Sequence, residues 1–132
     1  MRAGSPRHPA KSPRRAQRCH QEQSQRQHLR SGYPFLADLI VAETIYALES
    51  FYKTPRDQIA PAMRSLVALR SVVTVDPALL LRALEVYEID RIDFAEAYLV
   101  ACAESSGVNR IASFDRSIDR VGTVERIEPP TT

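Results

Sequence analysis

The apolar positions of this chain fall into blocks with two different periods. From Leu39 to Lys53 the sequence reads LIVAETIYALESFYK. Its residues Leu39, Ile40, Val41, Ile45, Leu48, Phe51 and Tyr52 cover most of a helical surface, which predicts a well-buried helix. Asp38 stands where it can cap that helix. Thr54-Pro55-Arg56-Asp57 then supplies an N-cap, a Pro at the first helical position and an acid at the third, predicting a second helix to about Leu69. Asp76-Pro77 repeats the signal before a Leu-rich helix to about Glu88. Asp93 opens the last long helix and Gly107 ends it. Between the helices lie short apolar or β-branched runs, Pro34 to Leu36, Ser71 to Val75, Arg110 to Phe114 and Val124 to Ile127, each read as a strand. Helices alternating with short strands predict an α/β domain over residues 33–130, with a parallel sheet flanked by helices.

The first 32 residues have a different composition. They hold eight Lys+Arg against one acid, Glu22, a charge of 8 − 1 = +7. The remainder holds ten Lys+Arg and fifteen acids, 10 − 15 = −5. Arg, Gln, Ser, Pro and His dominate residues 1–32, and the few apolar side chains are mostly small. Their burial does not offset the entropy of ordering the segment, so it is expected to be disordered. Two readings of it stay open: a nucleic-acid-binding tail, or an inert or wrongly assigned N-terminus. Two cysteines, Cys19 and Cys102, give no disulfide framework and no CxxC spacing, which suits a reducing cytoplasm. No apolar run reaches transmembrane length.

All three histidines, His8, His20 and His28, lie in the basic segment. The rest of the chain has none for acid–base work or zinc. Its candidate chemistry is therefore carboxylate chemistry, carried by Glu43, Asp93, Glu96 and Asp115. Phosphodiester cleavage without histidine uses carboxylates to hold Mg²⁺, which orients a water and neutralises phosphate charge. Two carboxylates ~4 Å apart repel by about 4 kcal/mol near a surface. A true cluster of these acids thus implies a cation. Asp115 follows an apolar run, and ligands in open α/β sheets bind beyond the carboxyl ends of strands.

Three pieces, VAETIYALESFYK around Glu43, DFAEAYLVACAESSG and IASFDRSIDRV, resemble the PIN-domain endoribonucleases, specifically the VapC-type toxins of bacterial toxin–antitoxin pairs. The resemblance runs from about Gly32 to Ile127. It implies that Glu43, Glu96 and Asp115 are catalytic and that Glu43, Asp93, Glu96 and Asp115 bind Mg²⁺, with Mn²⁺ as the alternative. It also implies an RNA substrate, a cognate antitoxin, a homodimer and a cytoplasmic location. One feature departs from the family. Its first strand, in mid-sheet, ends in an Asp that is the central ligand, whereas the first Asp here is Asp38. The sheet is therefore expected to lack the first central strand. A non-catalytic PIN relic that keeps the fold and binds an antitoxin is the alternative function.

Several of these residues have plainer explanations. Asp93 and Glu96 have the N-cap and N3 spacing of a capping box, which accounts for both without a metal. Asp115 fits a turn, and Asp119 fits a pair with Arg116 or Arg120. Tyr98 and Cys102 lie on an apolar helix and read as core. Arg110, Arg116 and Arg120 read as solvated charge, or as contacts to RNA phosphates.

Overall fold

A computed structural model describes residues 32–131, together with Gly4, Gln17 and Arg18. Apart from Gly4, Gln17, Arg18 and Gly32, the segment 1–32 that was expected to be disordered falls outside the described residues, as does the place of a first central strand. The chain divides into two units, Met1–Tyr33 and Pro34–Thr132. The second contains four helices: α1 (Asp38–Ser50), α2 (Arg56–Val67), α3 (Pro77–Ile89) and α4 (Phe94–Ser105). Strand β1 (Arg110–Ala112) follows, then a 3-10 helix (Arg116–Arg120) and strand β2 (Glu125–Ile127).

The strands are shorter than the apolar runs suggested. β1 and β2 pair in parallel, with Ile111 opposite Arg126 and Ala112 opposite Ile127. The runs Pro34 to Leu36 and Ser71 to Val75 meet only in an isolated parallel bridge, Phe35 to Val73. Leu36 N–H donates to the Val73 carbonyl at 2.7 Å, and Val73 N–H to the Pro34 carbonyl at 3.0 Å. The α/β class with parallel pairing is as expected, while the sheet splits into two fragments among the described residues.

Local signals set some helix ends. Asp76 caps α3 by accepting from Leu79 N–H at 3.1 Å, with Pro77 at the first helical position. Gly107 takes the left-handed conformation, φ 70°, just beyond α4, which glycine adopts without a Cβ clash. Two expected caps do not form. Ala37 is the N-cap of α1 and Pro55 that of α2, both without a side-chain cap bond. Asp38 instead accepts at Oδ2 from the Tyr98 hydroxyl, 2.5 Å away. A tertiary partner has displaced the local cap.

The core lies where α3 and α4 pack, with α2 against α3. Leu80, Ala83, Leu84, Val86 and Tyr87 of α3 are buried, as are Phe94, Ala97, Val100 and Ala101 of α4. Helix α1 departs from its expected burial. Only Val41 and Ile45 are buried in it, whereas Leu39 is 68% and Tyr46 70% exposed. Just beyond the helix, Phe51 is 87% exposed. Apolar residues cover this helix nearly all round, yet neighbours among the described residues cover only one side. Tyr98 and Cys102 are half-buried rather than core.

Candidate functional site

Helices α1 and α4 flank a cavity of about 300 Å³ lined by Ala42, Glu43, Ile45, Tyr46, Glu49, Asp93, Phe94 and Ala95. Positions 42, 45, 46 and 49 recur at helical spacing and form one stripe of α1. Glu43 stands at the stripe's edge. Asp93, on the turn before α4, lines the same cavity. Glu43 and Asp93, distant in sequence, thus share one lining. No Lys, Arg or His is among the lining residues, so the cavity is acidic with apolar and aromatic walls.

The capping box does not form. Asp93 is the N-cap of α4 with φ −54° and ψ 146°, but its side chain makes no cap hydrogen bond. Glu96 Oε2 is buried without a partner. Burial, and after it the charges of Asp115 and Asp93, push the Glu96 carboxyl above its ordinary value. Asp115, the last of the four acids, thus acts on Glu96 through its charge. Asp115 itself is held below its ordinary range chiefly by hydrogen bonding at Ser117, with help from Arg120 and Arg126. The amide carries the formed bond, donating to Asp115 Oδ1 at 2.9 Å, while Ser117 Oγ is buried without a partner. Asp115 therefore does occupy a turn, as the N-cap of the 3-10 helix. Neighbouring carboxyls with proton affinities driven apart are a recurrent feature of acidic active sites.

This arrangement has a consequence for stability. A carboxyl whose folded-state pKa is raised stabilises the fold below its ordinary value, and that contribution is lost as pH rises through the raised value. For Glu96 the window opens at 4.5 and extends upward. Glu96→Gln is expected to raise the thermal midpoint at pH 7.5 by a few degrees, with the gain shrinking as pH falls toward 4.5. Thermal denaturation at both pH values measures it. A capping role predicts the opposite sign, because losing a cap destabilises.

Other polar groups pair differently from the sequence-based expectation. Asp119 pairs with Arg126, Nε to Oδ1 at 3.1 Å, rather than with Arg116 or Arg120. Arg120 Nη1 donates to the Arg91 carbonyl at 3.0 Å. Arg110 lies 3.6 Å from Glu125, its cross-strand neighbour. Arg116 is exposed.

Two groups near the cavity were missed in the sequence. Glu49 lines it and accepts a hydrogen bond from the Tyr87 hydroxyl. Asp38 lines a neighbouring cavity of about 390 Å³ with Leu39, Ala42, Phe94, Ala95 and Tyr98. The two cavities share Ala42, Phe94 and Ala95 as a common wall. Asp38 Oδ1 is buried without a partner. Its bond to Tyr98, and then burial, hold that phenol well above its ordinary range. The helical stripe through position 49 was a usable signal for Glu49. Nothing local signalled the Asp38–Tyr98 pair.

The donor chemistry fits a hard divalent cation: the acids offer only carboxylate oxygens, and one oxygen of Glu96 is buried with no partner. Convergence is incomplete. Among the described residues, no three Asp, Glu, His or Cys side chains form a group able to hold one ion.

Against known families, the PIN domain model matches residues 15–124, and the chain belongs to the PIN-domain family. PIN domains are in general metal-dependent nucleases. The match begins inside the basic segment. Comparisons with curated proteins and with solved structures return no match. Among the described residues, no helix is long and apolar enough to cross a membrane.

Proposed function

We propose that this chain is a PIN ribonuclease of the VapC type, with Glu43, Asp93, Glu96 and Asp115 as the ligands of Mg²⁺ or Mn²⁺. The reading rests chiefly on Glu96. A carboxyl with a buried, unpartnered oxygen, raised further by the charges of Asp115 and Asp93, has no structural partner to explain it. When bound, the cation supplies charge neutralisation at an RNA phosphate and a water of lowered pKa. The chain's own residues hold the carboxylates. The turn at Ser117 keeps Asp115 ionised, the α1 stripe presents Glu43 to the cavity, and the turn before α4 presents Asp93. Glu43, Glu96 and Asp115 would form the catalytic set that holds the cation against the scissile phosphate. A cognate antitoxin and a second copy of the chain are the expected partners, in the cytoplasm.

A second reading, a non-catalytic relic that keeps the fold and binds an antitoxin, is favoured by the lack of any three converging acids among the described residues. Calorimetric titration with MnCl₂ separates the two. The nuclease reading predicts saturable binding, weakened at least about tenfold by Asp115→Asn or Glu43→Gln, since even an outer partner of a metal ligand is worth that much. Absence of saturable binding would favour the relic.

A further inference from the structure

We infer that Arg56 is a positioning residue for two carboxylates of the acidic cavity, Glu49 and Asp93. The inference rests on the nuclease reading for its metal readout and on the structure alone for its geometry. Arg56 is the first residue of α2 and lies outside the cavity lining. Its Nη1 donates to the carbonyl of Ile92 at 2.6 Å, and Ile92 directly precedes Asp93. The same nitrogen donates to the carbonyl of Tyr87 at 2.6 Å. The guanidinium carbon stands 4.3 Å from the centre of the Tyr87 ring, within cation–π range. The Tyr87 hydroxyl in turn donates to Glu49. One side chain therefore reaches both acids, through the backbone to Asp93 and through a buried ring to Glu49.

The turn that carries Asp93 needs such support. The last carbonyls of a helix have no partner within it, and Tyr87 lies in the last turn of α3. Arg91, just beyond that helix, takes φ 55°, a left-handed conformation that costs a residue with a Cβ. Arg56 holds the carbonyls of Tyr87 and Ile92, and Arg120 holds that of Arg91 at 3.0 Å. Three carbonyls around the strained residue are pinned by two arginines. The planar, always-charged guanidinium both donates and stacks here, which a lysine ammonium does not reproduce.

The test compares wild type, Arg56→Lys, and Ile59→Val, a change at a buried α2 residue that lines no part of the cavity. Ile59→Val controls for lost stability. Arg56→Lys is expected to weaken Mn²⁺ binding about tenfold. It is also expected to shift the amide resonances of Asp93 and Phe94 and the carboxyl ¹³C resonance of Glu49. Ile59→Val is expected to lower the thermal midpoint while leaving all of these in place. A lower midpoint for Arg56→Lys with unmoved resonances and unchanged affinity makes Arg56 a structural residue only and overturns the inference. If wild type binds no Mn²⁺, the nuclease reading fails, and the resonances alone decide the positioning role.

Discussion

Replacing residues 1–30 with an apolar strand ending in Asp-Thr-Asn, joined by a helix to the rest of the chain, is expected to raise Mg²⁺-dependent RNA cleavage at least about 100-fold. The reason is positional. The PIN resemblance places a central ligand at the end of a first strand, and no Asp precedes Asp38. On the proposed ligand set, one ligand fewer would leave the attacking water poorly held, and a misplacement of about 1 Å alone costs about 100-fold. The described sheet adds a second reason. Its two fragments, β1 with β2 and the Phe35–Val73 bridge, share no pairing. A strand added at the edge of either fragment would pair backbone groups there. In the grafted protein, Glu43→Gln should return cleavage to background. Robust, EDTA-sensitive cleavage by the 132-residue chain itself would show that the first Asp is not needed.

Tyr87→Ala should lower the unfolding free energy by about 3–5 kcal/mol, the range for truncating a buried aromatic side chain. Domains of this size are stable by only about 5–15 kcal/mol, so the variant should stand near the edge of folding. Tyr87 is fully buried. Its ring meets Phe94 edge-on, centroids 6.1 Å apart at 74°, and carries the Arg56 guanidinium at 4.3 Å. Truncation removes both contacts and leaves a void that a close-packed core fills only in part. Tyr87→Phe separates the ring from the hydroxyl. It keeps the packing and removes only the bond to Glu49, which should cost about 1 kcal/mol. Urea unfolding of the three proteins measures both. Similar losses for Phe and Ala would mean that the hydroxyl, not the ring, dominates.

Much of the architecture was legible along the chain. The α3 cap at Asp76-Pro77, the left-handed Gly107 and the four helices follow from local signals, each set by residues within a few positions of one another. The parallel pairing of the last two strands, Arg110 with Glu125, followed instead from the alternation of helices and strands along the chain. The order and spacing of the stretches that carry Glu43, Asp93, Glu96 and Asp115 likewise point to a PIN domain from the sequence alone. What the sequence could not decide was which local signals survive folding. Asp38 and the Asp93/Glu96 pair both have cap spacing, yet Asp38 binds Tyr98 and Glu96 Oε2 is buried with no partner. Asp119 turns to Arg126 rather than to its nearest arginines. The apolar surface of α1 predicted burial, but periodicity states which side chains are apolar, not whether a neighbour covers them. Arg56 and Glu49 acquire roles only because α1, α2 and the turn after α3 meet in space. Hydrogen bonds between residues tens of positions apart depend on how helices pack, and packing is a property of the whole fold rather than of any one stretch.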